Sequence, residues 1–207
     1  MYQKYHTDAL VLGSRPAGEA DKMCALYTRD FGLVWAGALG ARLERSKMRY
    51  ALSHLTRARV SLVRGKHDWR IAGCAAENTA IEKSSAGVAA CARIAQLTIR
   101  LVAGEERNEY LFCALAEAHA VLMVGCEVIG RGSQTSPGGL TSTSSPATVE
   151  LVCVARMLYA LGYLSAGALG EALFVHTAYG MEHLREAEGM RDELLVSINQ
   201  ALAQTHL

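Results

Sequence analysis

The apolar residues of this chain change their spacing near residue 80, and this change constrains the fold more than any other feature. Before it, apolar and polar positions alternate, most clearly over 57–64, where Ala58, Val60 and Leu62 fall on one side of the segment. An alternation of period two predicts half-buried strands. Beyond residue 85 apolar residues recur every three or four positions, which predicts helices.

The alternating region predicts five short strands. A turn at 64–67 separates the segment 57–64 from a return strand that contains Trp69 and Ile71. Three more strands are predicted upstream, over Thr7–Ser14, Ala20–Thr28 and Leu33–Ala38. Short strands separated by turns in this way are typical of a small barrel.

The second region predicts an all-α domain. Apolar residues recur at helical spacing over 94–101, 111–122, 151–158 and 194–202. We expect one helix to begin at Glu106 or Asn108, and a later helix to be capped by Thr148. The segment 130–146 is rich in Gly, Ser and Thr and lacks this periodicity, so it is expected to be a mobile loop.

We therefore predict an α+β protein with a five-stranded barrel domain over residues 1–80 and an all-α helical domain over residues 81–207. The length of 207 residues and the apolar content of 51% suffice for a buried core. The six cysteines form no C-x-x-C pair that could bind zinc, and we expect free, mostly buried thiols. No apolar stretch approaches the ~18 residues of a membrane span and no secretory leader is evident, which favours a cytoplasmic protein.

Charge is divided unevenly along the chain, although the net charge is only +1. Residues 1–80 contain 13 basic and 7 acidic side chains, a charge of +6, whereas residues 81–207 contain 8 and 13, a charge of −5. Nine basic and two acidic residues lie within 42–70. Such a field attracts polyanions and indicates a nucleic-acid ligand, with a solvated surface as the plain alternative.

The candidate nucleic-acid contacts are the basic residues of this segment and one tyrosine. They are Arg42, Arg45, Lys47, Arg49, Tyr50, Arg57, Arg59, Arg64, Lys66 and Arg70. The cationic groups are expected to bind phosphates, and Tyr50 is the candidate for stacking on a base, with simple packing as the alternative.

Other aromatic and charged residues of the barrel have structural interpretations. The rings expected inside the barrel are those of Tyr27, Trp35 and Trp69. Arg15 and Lys22 flank the first turn, and the plain alternative to a functional role is that they form surface ion pairs with Glu19 and Asp21.

No arrangement of residues predicts catalysis. The sequence contains no Gly-x-Ser-x-Gly elbow and no paired-carboxylate motif, and 130–146 lacks the Lys-Ser/Thr ending of a P-loop. No pair of histidines has the spacing and acidic neighbour of a helical metal site. We expect no catalytic residue, no bound metal and no cofactor.

The N-terminal residues resemble those of a known family. The stretch 9–22, ALVLGSRPAGEADK, followed by 26–32, LYTRDFG, is similar to the start of the bacterial recombination mediator RecO. In that family a turn ends in Gly-Glu-x-Asp-Lys and the next strand ends in Thr-x-x-x-Gly. Residues 40–42, 46–52 and 62–66 continue the resemblance, and 158–163 is similar to a helix end of the family.

The resemblance implies an OB-fold barrel followed by a helical domain, and a function in recombinational DNA repair. RecO proteins bind single- and double-stranded DNA, anneal complementary strands and bind the C-terminal tail of single-stranded-DNA-binding protein. They assist RecR in loading recombinase at gaps. The resemblance implies these partners, no catalytic residue, and a cytoplasmic location at the nucleoid. A protein-interaction scaffold that keeps the fold without annealing DNA is the alternative.

Two further implications concern the helical domain. Many family members carry a four-cysteine zinc site after the helix end, but residues 164–170 contain no cysteine, so a compact form without zinc is expected. The cations available to hold an acidic protein tail are Arg93, Arg100, Arg107 and Arg156.

Overall fold

The computed structural model describes residues 3–66, 68–77, 84–124, 145–167 and 171–205. The strands are β1 (Lys4–Ala17), β2 (Asp21–Thr28), β3 (Gly32–Ala38), β4 (Arg57–Arg64) and β5 (Trp69–Ala76). The helices are α1 (Met48–Ala51), α2 (Ser85–Leu101), α3 (Glu109–Val124), α4 (Pro146–Ala160), α5 (Ala172–Val175), α6 (Met181–Gly189) and α7 (Arg191–Gln204). The predicted domain boundary at residue 80 and all but the last two residues of the predicted loop 130–146 lie outside the described residues.

The five strands close into a barrel in the order β1-β2-β3-β5-β4. Neighbouring strands are antiparallel except for β3 and β5, which are parallel. This topology confirms the predicted five-stranded OB-fold barrel followed by helices. β1 extends beyond the predicted strand at both ends because its first half pairs with β4 and its second half with β2, with a bulge between Val11 and Gly13.

Two apolar cores lie on opposite sides of the barrel wall. Alternate side chains of the strands, such as Val11, Leu26 and Val60, fill the interior of the barrel. The outer side of the same wall contributes Leu10 and Tyr27 to a second core that is shared with the helices. A large apolar side chain buried in this way stabilises the fold by about 1.5–3 kcal/mol. The barrel therefore depends on the helices to cover its outer surface.

The helices pack around α4, which contacts α2, α3, α6 and α7. Of the two predicted starts of this helix, Asn108 caps α3 by accepting a hydrogen bond from the Leu111 N–H at 2.9 Å. The prediction of Thr148 as a cap is wrong: Ser145 caps α4, Pro146 occupies its first turn, and Thr148 is buried inside the helix. No helix in the described part of the chain has the length and apolar content needed to cross a membrane.

The turn between β2 and β3 explains the spacing Thr-x-x-x-Gly. The Thr28 hydroxyl accepts from the Phe31 N–H and donates to the Gly32 carbonyl, both at 3.0 Å. Gly32 has a φ of 63°, and a Cβ at this position would lie 2.2 Å from the Glu106 carbonyl oxygen. The connection between α2 and α3 packs directly against this turn, and for this reason only glycine fits at position 32.

Candidate nucleic-acid interface

The connection between β3 and β4 (residues 39–56) is fixed to the β1–β2 turn by three hydrogen bonds. The Asp21 carboxylate accepts from the Gly40 N–H at 2.7 Å. The Arg42 N–H donates to the Ala20 carbonyl at 2.9 Å, and the Arg42 guanidinium donates to the Gly18 carbonyl at 2.8 Å. Arg42, a predicted contact, therefore helps to hold the connection in place while it stays exposed.

The other predicted residues of this connection point into solvent. Arg45, Lys47 and Arg49 are exposed, and none of them forms an ion pair with a carboxylate of the described residues. The Tyr50 side chain is 74% exposed, so its ring is not part of the core. The structure thus places three cations and an open aromatic ring close together in the chain, on a connection whose base is fixed to the barrel.

Two predicted cations on β4 are paired with carboxylates. The Arg57 guanidinium lies 2.8 Å from the Glu77 carboxylate. Arg59 lies opposite Asp8 of β1 in the register and 3.3 Å from its carboxylate, with 72% of the Arg59 side chain exposed. Exposed ion pairs contribute only about 0–1 kcal/mol, so a phosphate that displaced the Asp8 carboxylate from Arg59 would meet little resistance. Arg57 is less accessible, with 29% of its side chain exposed.

Arg64, at the end of β4, is held by the connection between α2 and α3. Its guanidinium lies 3.4 Å from the Glu105 carboxylate and 5.2 Å from the centroid of the Trp69 ring. The same carboxylate accepts a hydrogen bond from Trp69 Nε1 at 2.7 Å. Trp69 is 3% exposed, which confirms its predicted inward position. Glu105 therefore links a helical connection to a predicted DNA-contacting residue.

Lys66 and Arg70 complete the predicted set, and both are exposed. Neither has a carboxylate partner within the described ranges. Arg70 lies opposite Val63 of β4, which in turn lies opposite Lys4 of β1, so Lys4 and Arg70 share the outer side of the barrel. Sequence analysis did not select Lys4, because its place beside this strand depends on the register.

The prediction that Trp35 points into the barrel is wrong. Val34 and Ala36 fill the interior, so the alternation of β3 turns Trp35 outward, where it is 43% exposed. The Arg15 guanidinium lies over its ring, 5.6 Å from the centroid. The predicted ion pair of Asp21 is also absent from the described residues, since its carboxylate binds the Gly40 backbone. Strict alternation of side chains along β3 is the sequence signal that would have placed the Trp35 ring outside.

Tyr27 is buried, as expected, but on the other side of the barrel wall. It is fully buried against the helices, where its ring stacks on Phe112 at 6.5 Å between centroids. The sequence pattern predicted correctly that Tyr27 is buried, but it assigned the ring to the wrong core. The helices that cover the outer side of β2 lie far along the chain, so the pattern could not show this.

The arginines of the helical region differ in their availability. Arg93 donates twice to the Glu150 carboxylate, at 2.6 Å, and Arg107 pairs with Glu109 at 3.2 Å. Arg100 is exposed on α2. An acidic protein tail would therefore have to compete with Glu150 for Arg93 and with Glu109 for Arg107.

Arg156 is fully buried, so the expectation that it could receive an acidic tail is wrong. Its guanidinium donates to the carbonyls of Leu173, Thr177 and Ala178 at 2.8–3.1 Å, and it lies over the Tyr179 ring at 4.6 Å. The side chain ties α4 to the segment around α5.

The described residues after the helix end do not fit a zinc ion. The carbonyls of this segment are engaged by the Arg156 cation, which disfavours a second positive charge nearby. His176 and His183, whose ring centroids lie 6.1 Å apart, supply two nitrogen donors where a structural zinc needs four ligands. Within the described ranges, no three metal-binding side chains are grouped.

The described cysteines, which form no disulfide, are Cys24, Cys74, Cys91, Cys113 and Cys153, and Cys126 lies outside the described residues. Burial raises the pKa of the Cys74 and Cys153 thiols to about 11. Thiols with such pKa values stay protonated at neutral pH, so these two are poor nucleophiles and poor metal ligands.

This geometry defines the class of protein: an OB-fold barrel that carries exposed cations and is covered on one side by helices. A family model described as "Recombination protein O N terminal" matches residues 1–74. Three similar proteins are each named DNA repair protein RecO. The protein of Pelotomaculum thermopropionicum is 31% identical over 139 residues, which cover 66% of this chain and 54% of that protein. Those of Desulfitobacterium hafniense (strain DSM 10664 / DCB-2) and Myxococcus xanthus are 40% and 41% identical over 62 and 61 residues, 30% of this chain and 23% and 25% of theirs.

The chain belongs to the RecO family. The matched part spans about half the length of the first of these relatives and about a quarter of the other two.

Proposed function

We propose that this protein is a DNA-binding recombination mediator of the RecO type that binds and anneals single-stranded DNA in gap repair. The observation that carries the proposal is the set of exposed, unneutralised cations at Arg45, Lys47 and Arg49, on a connection that is fixed to an OB-fold barrel. Membership of a family whose named relatives are DNA repair proteins supports it.

Binding would proceed mainly through phosphates. Lys66 and Arg70 on the barrel extend the cationic surface beyond the β3–β4 connection, and the Tyr50 ring is open for stacking. Phosphate contacts position a strand without reading its sequence, and a stacked base adds about 1–3 kcal/mol. Contacts of this kind leave the base edges free to pair with a second strand, which is what annealing requires.

The protein partners proposed are a RecR-like protein and the C-terminal tail of single-stranded-DNA-binding protein. Together with RecR, the protein would assist recombinase loading. We assign DNA binding to residues 1–80 and partner binding to residues 81–207. Arg100 is an exposed arginine of α2 that no carboxylate of the described residues pairs with, so an acidic tail could bind it. The acidic surface of α6 and α7, with Glu182, Glu186 and Glu193, would face away from phosphates or toward a basic partner.

A scaffold without DNA-annealing activity is the second candidate. The pairing of Arg57, Arg59 and Arg64 with carboxylates favours it, because part of the predicted cationic surface is neutralised within the protein. On this hypothesis, partner proteins would bind while oligonucleotide affinity would be absent.

Fluorescence anisotropy of a labelled single-stranded oligonucleotide tests the proposal, with the full chain as the protein. Charge reversal by Lys47→Glu and Arg49→Glu together is expected to weaken binding and to reduce the salt dependence by ~0.7 for each phosphate that is no longer bound. A matched control reverses Arg100 and Arg107, which are exposed on the helical region and give the same change in net charge. Equal effects of the two double substitutions would contradict the placement, and absence of binding by the unmodified protein would favour the scaffold.

A further inference from the structure

An exposed tryptophan that the sequence analysis did not select as a DNA contact lies on the outer surface of the barrel. The Trp35 side chain is 43% exposed on β3, although a tryptophan is a large apolar group that folding normally covers. The residue directly opposite it on β2, Ala25, is small, and Gly37 follows it on the same side of β3. Nearly half of the Trp35 surface is therefore open to a ligand from outside.

The charges around this ring favour an anionic ligand. The Arg15 guanidinium lies 5.6 Å from the ring centroid. Arg70 lies opposite Gly37 in the register, and so on the same outer side of the sheet as Trp35, two residues further along β3. The Asp21 carboxylate, at the start of the neighbouring strand β2, is engaged by the Gly40 backbone. An aromatic ring with two arginines on its side of the sheet is suited to a ligand that carries both a flat ring and a negative charge.

We infer that Trp35 is a base-stacking position for single-stranded DNA and that it makes the protein prefer single strands over duplex. This inference rests on the proposed function. A nucleotide in a single strand can place its base on the indole while its phosphate lies near Arg15 or Arg70. A base in a duplex is already stacked on its neighbours and is not available to the ring. Phosphate contacts alone do not distinguish the two forms in this way.

The path of the strand follows from this assignment. It runs from the connection that carries Lys47 and Arg49, across the outer surface of β3 at Trp35, to Arg70 on β5. OB-folds commonly bind oligonucleotides over the β2 and β3 strands, which agrees with this direction. The start of β3, at Leu33, is covered by the helices on the same outer surface. The DNA strand is therefore confined to the end of β3 that carries Trp35.

The first experiment compares two single-stranded oligonucleotides of equal length, one of thymidines and one with abasic sites, which have the same charge. The unmodified protein is expected to bind the thymidine strand between about fivefold and a hundredfold more tightly, as one stacked base would give. Trp35→Ala is expected to remove most of this difference and to leave only what stacking on Tyr50 contributes. Trp35→Phe is expected to retain most of the difference, and binding to duplex DNA is expected to be unchanged in both variants. Leu39→Ala, which truncates a neighbouring apolar side chain that is 61% exposed, is the matched control and is expected to behave as the unmodified protein.

The second measurement uses tryptophan fluorescence, because the chain has two tryptophans and only Trp35 is exposed. Single-stranded DNA is expected to quench the emission of the unmodified protein and to leave that of the Trp35→Phe variant, which comes from the buried Trp69, almost unchanged. If the unmodified protein binds DNA but Trp35→Ala keeps the full preference for thymidines, or weakens duplex binding equally, the inference is wrong while the proposed function stands. If the unmodified protein binds no oligonucleotide, both fail. Self-association that Trp35→Ala abolishes, without any effect on DNA, would show that this surface is a contact between copies and would overturn the inference.

Discussion

Asp21 accepts a hydrogen bond from the Gly40 backbone N–H at 2.7 Å, and this contact fixes the start of the β3–β4 connection to the β1–β2 turn. Gly40 has a φ of 62°, so the chain reverses here in a conformation that glycine adopts without strain. The aspartate of the Gly-Glu-x-Asp-Lys stretch is thus a structural element of the candidate interface. It holds in place the segment that carries Arg45, Lys47 and Arg49.

Substitution of Asp21 by alanine is expected to loosen this segment. Removal of a charge-assisted hydrogen bond to the backbone is expected to lower the free energy of unfolding by about 1–3 kcal/mol. Affinity for single-stranded DNA should fall as well, even though the net charge becomes more positive. Urea unfolding and anisotropy measure the two effects.

Glu19→Ala is the control for Asp21→Ala, because Glu19 is exposed in the same turn and its removal changes the charge equally. It is expected to leave stability unchanged and to leave DNA affinity equal or slightly higher. If Asp21→Ala raised affinity as much as Glu19→Ala, the connection would not need this hydrogen bond for binding.

Glu105→Gln is expected to increase affinity for DNA. The Glu105 carboxylate neutralises Arg64, whereas a glutamine can still accept the hydrogen bond from Trp69 Nε1. Because the ion pair is exposed, stability should change by less than about 1 kcal/mol. The freed guanidinium is expected to add ~0.7 to the salt dependence of single-strand binding. Glu109→Gln, which frees Arg107 instead, serves as the control, and an equal gain in both variants would argue against a specific role for Arg64.

Arg156→Met is expected to destabilise the helical region strongly. The substitution leaves three carbonyls without their donor: a buried one at Leu173 and two partly buried ones at Thr177 and Ala178. We expect a decrease of about 3–5 kcal/mol in the free energy of unfolding, measured in urea. The exposed Arg100→Met is the comparison and should lie within about 0.5 kcal/mol of the unmodified protein. A decrease below about 1 kcal/mol for Arg156→Met would show that these carbonyls find other donors.

Stability is expected to fall at alkaline pH through the Cys153 thiol. Burial raises the pKa of this thiol to about 11, whereas in the unfolded chain it ionises near pH ~8.5. Its contribution is complete below the unfolded value. As pH rises toward 11, the unfolded state releases a proton that the folded state retains, so the free energy of unfolding decreases.

The Cys153→Ala variant tests this thiol separately from other alkaline groups. Its free energy of unfolding should decline less steeply between about pH 9 and pH 10.5 than that of the unmodified protein, although it starts lower because a buried side chain is truncated. The Cys74 thiol, whose pKa is also raised to about 11, remains in both proteins. Parallel pH profiles would contradict the effect.

Sequence patterns predicted the barrel well because each strand buries one row of side chains, as Ala58, Val60 and Leu62 do in β4. The same rule, applied strictly to β3, places Trp35 outside, so the wrong prediction came from the general tendency of tryptophan to be buried. The ion pairs were not predictable, because Asp8 meets Arg59 through strand register and Glu105 meets Arg64 through packing of the helices. Residues distant in sequence decide which cations of the candidate interface are neutralised.

The central claim is tested most directly by the salt dependence of single-stranded DNA affinity in the full chain and in a variant with Arg45, Lys47 and Arg49 all changed to alanine. We predict that the logarithm of the affinity falls linearly with the logarithm of salt concentration for the unmodified protein. The slope should be shallower by about 2 in the variant, since each phosphate bound by a cation accounts for ~0.7 of it. An affinity that is independent of salt, or an unchanged slope after the triple substitution, would contradict the account.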